Sequence, residues 1–325
     1  MAKKFSIKDF KESIKVTAAE YKKDIYINLD PCVQDVLKLP GLPLGHITQD
    51  YGKSDTGKTS LMFHAIAEAQ KQGILPVVVI SEGKIDWNRA RAMGVKYTGD
   101  LPEDKRDEND FIIVEENLKY LEEIFDFVDN EIINNVMTGK LPYNVMIFWD
   151  SMGNSISEKS IKIDAKTGKR EIKNTHMQAA AIKSERLTIL MDRVNDTRKI
   201  NYPYTVGAFI INHVYTGQPA YTGAVAPEIV KGGNKVKFTA SLMIKHQLVN
   251  KLEAEKDGSK LKFGMISKLS VTKNHINGQE YSGEFVITAD KFLPNDAKAI
   301  KQYKEDNKDK WGDLELFEVP EEGDM

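Results

Sequence analysis

An α/β domain built on a mostly parallel central sheet is the fold class this sequence predicts, and three observations predict it. Between Pro40 and Leu293, short apolar runs alternate with segments of helical periodicity. The runs are apolar nearly throughout, as strands covered on both faces are, rather than alternating as half-exposed strands do. A glycine-rich loop of the form G-x-x-x-x-G-K-T joins one run to a helical pattern. The strands are read at HITQDY (46–51), VVVIS (77–81), NVMIFWD (144–150), VGAFIIN (206–212) and SLMIK (241–245). Helices are read at 60–72, 117–136 and 175–200, between the strands, where they would cover the sheet's two faces. LKFGMISKLSVTKN (261–274) and GEFVIT (283–288) look like hairpin strands extending that sheet.

The 325 residues suit one large domain with appendages. Apolar residues make up 41% and charged residues 29%, enough to bury a core. The apolar runs fall far short of the roughly 20 residues a membrane span needs. The N-terminus, MAKKFSIKDFKES, lacks the apolar core of a signal peptide. A single cysteine, Cys32, excludes an internal disulfide and a cysteine-built zinc cage. The expectation is a soluble, cytoplasmic chain with no membrane partner.

Both ends differ from the middle. Ile7, Phe10, Ile14, Ala18 and Tyr21 recur at spacings of three and four, one face of an amphipathic helix over 5–22. That stripe must be covered either by the chain's own core or by a neighbouring subunit. At the other end, residues 305–325 hold nine acids and two bases, a net −7, which leaves the rest at +5 against the overall −2. A basic body with an acidic tail suits a polyanion-binding surface with a competing tail; a solvated end suits the tail equally. The predicted organisation is an N-terminal helix and oligomerisation segment (1–38), a core (39–293) and a C-terminal segment with the acidic tail (294–325).

The loop GKSDTGKT (52–59) carries the chemistry. Gly52 and Gly57 let the backbone N–H groups around Lys53, Ser54, Asp55 and Thr56 face a phosphate chain, and the helix that begins near Lys58 and Ser60 adds its dipole. Lys58 would reach the β- and γ-phosphates, and the Thr59 hydroxyl would hold Mg²⁺. The ligand implied is a nucleoside triphosphate with magnesium. Asp150 closes the run NVMIFW at the strand end where parallel-sheet sites lie, as the second metal residue or as the cap of the next segment. Glu82, just past VVVIS, is placed either to act as general base on the attacking water or to pair with a loop cation.

Several stretches in order resemble the RecA family of DNA strand-exchange ATPases. They are LPGLPLGHITQDYGKSDTGKTSL (39–61), VVVISEGKIDWNRARAMGV (77–95), NTHMQAAAIKSERL (174–187), FIINH (209–213) and KGGNKVKFTASLMIK (231–245). FWDSMGNSISEK (148–159) and INHVYTG (211–217) are similar to the UvsX-type recombinases of T-even phages within that family. The resemblance implies a RecA-like core with an N-terminal polymerisation helix, ATP and Mg²⁺ as cofactors, and Glu82 as the catalytic glutamate. It implies that Asn212 and His213 sense the γ-phosphate, although His213 at a strand terminus would equally cap its loop. It also implies two DNA-binding loops, at about 153–177 and 214–231.

The first of these loops has six bases against three acids over 157–174, and Ile161, Ile163 and Thr167-Gly168 suggest a short basic hairpin. Lys169, Arg170 and Lys173 would track phosphates, a contact that ignores sequence and weakens with salt. His176 and Met177 match the family's pair at the loop's end, where Met177 would wedge between bases or begin a helix core. In the second loop Tyr215 and Tyr221 would stack on bases, and Gly232, Gly233 and Asn234 open the segment that follows. Lys273 and His275 stand where the family sends two cations to the neighbouring subunit's phosphate, making hydrolysis depend on assembly. His275 departs from the family's Lys or Arg. On the adenine side Asp86 fits, while Arg89 occupies a position the family gives to an aromatic residue.

The reading is an ATP-dependent homologous recombinase. It would form a helical filament on single-stranded DNA, pair it with homologous duplex DNA, and work beside single-strand-binding and loader proteins. Against the family it resembles, the chain is expected to lack much of the C-terminal domain. The alternatives are a helicase motor on the same core, or a recombination mediator that uses ATP as a switch.

Overall fold

The computed structural model describes residues 6–8, 11, 19–81, 83, 85–153, 155–158, 161–163, 170–172, 176–218, 221, 226–231, 234–256 and 259–308. The chain enters through β1 (Tyr26–Asn28), α1 (Pro31–Leu37) and β2 (Gly41–Pro43). β3 (Ile47–Gly52) leads through the phosphate loop into α2 (Lys58–Lys71), then β4 (Leu75–Ile80), α3 (Trp87–Ala92) and β5 (Ile113–Glu115). Next come α4 (Leu121–Asp126), a π-helical stretch (Phe127–Ile133) and α5 (Asn134–Met137), which run on as one helical arm to β6 (Val145–Asp150). β7 (Ile161–Ile163), β8 (Arg170–Ile172), α6 (His176–Asp196), β9 (Val206–Thr216), β10 (Glu228–Val230) and α7 (Asn234–Thr239) follow. β11 (Leu242–Lys256), β12 (Ser259–Asn274), β13 (Ser282–Thr288), β14 (Phe292–Pro294) and α8 (Ala297–Asp306) complete the described chain.

The main sheet runs β14-β13-β12-β11-β3-β9-β6-β4-β5, with β10 added to the far end of β9. From β11 to β5 every pairing is parallel, and from β11 to β14 every pairing is antiparallel. The predicted α/β class with a mostly parallel sheet is therefore the one observed.

The strands are buried on both faces because two cores sandwich them. Met146, Phe148, Val78, Ile80, Phe209 and Ile211 face one core, which α1 and α2 cover. Val77, Val79, Val145, Ile147, Trp149, Val206, Ala208 and Ile210 face the other, covered by the helical arm and α6. This period of two, with both phases apolar, is why the runs read as continuous. Emptying a site such as Phe148, fully buried against Phe209, costs about 3–5 kcal/mol as Ala.

Ile27, Leu29, Val33, Val36 and Leu37 belong to the α2 core, so packing is continuous across residues 38 and 39. Asp30 starts α1 by accepting from the Cys32 N–H at 2.9 Å, with Pro31 in the first turn. At the other end α8 lays Tyr303 against Phe263 and Ala254 of the long hairpin. β9 and β11 both outrun their predicted ends, β9 through its ladder with β10 and β11 through its pairing with β12. Most of the predicted helix 5–22 and the tail beyond residue 308 lie outside the described residues. No described helix is long and apolar enough to cross a membrane.

Candidate functional site

β3 ends near the middle of the sheet, with Gly52 in register beside His213 of β9 and His246 of β11. The motif's two glycines are there for steric reasons. Gly57 caps α2 at φ 107°, and a Cβ on it would lie 2.3 Å from Ile287 Cδ1. A Cβ on Gly52 would lie 2.5 Å from the His246 carbonyl oxygen.

Within the loop, Lys58 is 5% exposed, and its ammonium donates to the Lys53 carbonyl at 2.6 Å. The Thr56 hydroxyl donates to the same carbonyl at 2.9 Å. The Thr59 hydroxyl donates to Asp150 Oδ2 at 3.3 Å. A hydroxyl from the first turn of α2 and a carboxylate from the end of β6 thus meet although 91 residues separate them. Two hard oxygen donors of this kind suit magnesium, which takes few protein ligands.

Glu82 lies outside the described residues, but the residue before it is closely held. The Ser81 N–H donates to the Asp150 carbonyl at 2.8 Å, and its hydroxyl donates to the Ser151 carbonyl at 3.0 Å. The Trp149 indole N–H donates to Ser81 Oγ at 2.9 Å, and the Ser155 hydroxyl lies 2.8 Å from it. The ends of β4 and β6 are locked together beside the phosphate loop.

On the predicted base side, Asp86 caps α3 by accepting from the Arg89 N–H at 2.9 Å. The Arg89 guanidinium donates to Ser60 Oγ on α2 at 2.7 Å, and burial lowers its pKa against the pull of Asp86 and Asp55. Asn212 is fully buried: its amide donates to the Lys231 carbonyl at 2.8 Å and its oxygen accepts from the His213 N–H at 2.9 Å. It faces the end of the second predicted DNA loop, while His213 stands in register with Gly52.

The backbone of both predicted DNA loops is braced. β7 and β8 pair antiparallel, Ile161 with Ile172 and Ile163 with Arg170, as the basic hairpin requires. In the second loop Val214, Tyr215 and Thr216 pair with Val230, Ile229 and Glu228, so both ends of the segment 214–231 are strand. Tyr215 is 50% and Tyr221 72% exposed, open to stacking partners. Lys169, Lys173, Gly232 and Gly233 lie outside the described residues. Arg170, His176, Met177 and Asn234 are described by backbone alone, in β8, at the start of α6 and at the start of α7.

Lys273 donates to the carbonyls of Lys237 and Phe238 at 2.7 and 3.1 Å, at the negative end of α7. His275 is exposed, with its backbone N–H on the Ser241 carbonyl.

Two residues here carry no sequence signal. Glu228 of β10 lies 2.6 Å from the Lys245 ammonium and 3.6 Å from that of Lys53 in the phosphate loop. Its hydrogen bond with Lys245, followed by the charges of Lys245 and Lys53, lowers its pKa. Lys183 of α6 is 6% exposed and donates to the Met152 carbonyl at 2.9 Å, just where the first predicted loop begins. Burial, then the charge of Lys231, lowers its pKa to about 8. An isolated Glu near a proline and a Lys inside a helical pattern look like surface residues until the fold is known.

A mostly parallel sheet with a phosphate loop at a central strand end and an acidic strand end nearby defines an α/β protein of the phosphate-loop class. Residues 11–111 match the family described as the RecA N-terminal domain. Protein RecA of Chlorobium limicola is 26% identical over 251 residues, covering 77% of this chain and 61% of that protein. Protein RecA of Oleidesulfovibrio alaskensis is 25% identical over 240 residues, covering 74% and 58%. That of Lactococcus lactis subsp. cremoris is 24% identical over 261 residues, covering 80% and 58%. The chain is similar to these RecA proteins over about three quarters of its own length, and it spans less than two thirds of theirs.

Proposed function

We propose that this chain is an ATP-dependent recombinase that assembles on single-stranded DNA as a helical filament and exchanges it with homologous duplex DNA. The observation that carries the reading is the meeting of Thr59 and Asp150 at 3.3 Å beside Lys58. A carboxylate and a hydroxyl at that distance, at the mouth of a phosphate loop, have a metal–phosphate group as their natural ligand. Magnesium held by Thr59 and Asp150 would offset charge on the phosphate oxygens. Lys58 gives up its contact with the Lys53 carbonyl to bind phosphate, the loop N–H groups orient the phosphate chain, and Arg89 lines the base side. Glu82, following the locked Ser81, takes a proton from the attacking water. Lys273 and His275 act across the filament interface on the neighbour's nucleotide.

The loops at about 153–177 and 214–231 carry DNA. Their cations give affinity without sequence preference, and the contacts of Asn212 and Glu228 with the second loop's end support coupling between nucleotide and DNA. The phage-type affinity rests on the stretches 148–159 and 211–217 alone. Single-strand-binding and loader proteins are the expected partners, and the cytoplasm, where ATP and DNA meet, the expected setting.

The test is ATP turnover with and without single-stranded DNA, paired with electron microscopy using a slowly hydrolysed ATP analogue. Turnover stimulated by DNA, with regular filaments that need both ligands, is the expected result. Closed rings would indicate a helicase motor. Nucleotide binding without filaments or DNA-stimulated turnover would indicate a mediator.

A further inference from the structure

The phosphate loop is also held from inside the sheet. Ser267 of β12 donates its hydroxyl proton to the Thr56 carbonyl at 2.7 Å. Nδ1 of His246, on β11, lies 3.3 Å from Ser267 Oγ. Nε2 of the same ring lies 3.2 Å from Asp50 Oδ1 on β3. The side chains of Asp50 and His246 are fully buried, and so is Ser267. The Phe285 ring meets the His246 ring edge-on, and Ile287 packs over Gly57, so the surroundings are apolar.

Proton accounting fixes the roles. A serine has one proton to give, and Ser267 gives it to Thr56, so Nδ1–H of His246 must be the donor toward Ser267. Nε2 then either presents a bare lone pair to Asp50 or carries a second proton. The 3.2 Å contact is off the line of a straight hydrogen bond, and neither carboxylate oxygen of Asp50 has a hydrogen-bond partner among the described residues. A buried carboxylate in that state, facing a bare nitrogen, would be uncompensated. One proton held between Nε2 and Asp50 removes that repulsion.

We propose that the buried Asp50–His246 pair, acting through Ser267, positions the Thr56–Gly57 peptide of the phosphate loop for nucleotide binding. The inference rests on the nucleotide-binding reading given above, and these three are positioning residues, acting through the loop backbone.

The test uses the full chain and a fluorescent ATP analogue. Ser267→Ala is expected to weaken binding about tenfold, the equivalent of one lost hydrogen bond. Ser267→Thr, which keeps the hydroxyl, is expected to restore it. Thermal melting followed in parallel separates this from unfolding. In ¹⁵N-histidine NMR spectra, Nδ1 of His246 is expected to carry a proton, as its contact with Ser267 requires. Binding within twofold of wild type in Ser267→Ala, or a His246 Nδ1 without a proton in the wild type, would overturn the proposal. Lys58→Ala in the same assay separates the two readings. If it binds as wild type does, the nucleotide reading has failed; if it alone loses binding, only the positioning role has. The imidazole spectrum needs no nucleotide and tests the pair in either case.

Discussion

On the side that carries Lys58 and Thr59, the phosphate loop satisfies its polar groups with contacts a ligand can replace. At Thr56 it is held by a chain of side chains from three strands that no ligand reaches. The Lys58 ammonium rests on a carbonyl five residues away, and Thr59 leans on Asp150 at the long end of hydrogen-bond range. A phosphate oxygen is the better partner for the ammonium, because both partners are then charged. Ser267, His246 and Asp50 are buried, and removing one strands the next without a partner. On the proposed reading the Lys58 side exchanges partners and the inner side does not, so equal-sized substitutions should fail differently: at chemistry on one side, at stability and loop geometry on the other.

The largest expected effect tests the ligand side. Lys58→Ala should lower ATP turnover by about 10²–10³-fold, the usual loss when one charge-stabilising donor is removed, with a melting temperature close to wild type. A large drop in melting temperature would mean that the lysine is structural and would remove the contrast. Gly57→Ala tests the inner side. Its added Cβ meets Ile287 Cδ1 in a left-handed backbone, so destabilisation of about 1–3 kcal/mol is expected in urea unfolding. A stable Gly57→Ala protein that binds nucleotide would show that the loop can move away from the sheet.

This contrast also separates what was legible in the sequence from what was not. Gly52, Gly57, Lys58 and Thr59 lie within eight consecutive positions, and Asp150 ends an apolar run, so local pattern alone brought them together. Asp50, His246 and Ser267 come from β3, β11 and β12, and only the pairing of those strands makes them neighbours. No spacing rule encodes that. β4, β6, β9 and the start of β11 were legible because both their faces are apolar, and β3 because it leads into the glycine loop; β5, three half-buried residues at the sheet's edge, was not. The outer part of β11, HQLVNKLEAEK, was not, because most of it is held by its ladder with β12, and only Leu252 and Ala254 join a small core, with Phe263 and Tyr303. The π-helical stretch at Phe127–Ile133 also escaped detection, since its apolar residues fit an ordinary helical stripe.

Glu228 offers a smaller test, at the join between the phosphate loop and the second predicted DNA loop. Its carboxylate is partly exposed, and its contact with Lys53 is long. Glu228→Gln should therefore shift stability by no more than about 1 kcal/mol, and less at high salt. If the bridge carries coupling, DNA stimulation of turnover should fall while turnover without DNA stays within about twofold. Equal loss in both would place Glu228 with the nucleotide-binding groups instead.

Lys183 gives the smallest effect and the finest distinction, because it is buried like the inner groups yet sits at the root of the first predicted DNA loop. Its pKa near 8 lies below the ordinary lysine value of 10.5, so unfolding takes up a proton between those two pH values. The stability this group contributes should rise with pH from about 8 to 10.5 and be lost as pH falls back through 8. Urea unfolding across that range should show the rise in the wild type, and Lys183→Met should lack it. A parallel slope in both proteins would mean that Lys183 titrates like a surface lysine and that the Met152 turn opens to water. Added single-stranded DNA sharpens the comparison. Phosphates near Lys231 would offset the charge that helps depress Lys183, and its NMR titration midpoint should move upward. A midpoint that stays near 8 at saturating DNA would put the phosphates elsewhere and would class Lys183 with the inner, ligand-independent groups.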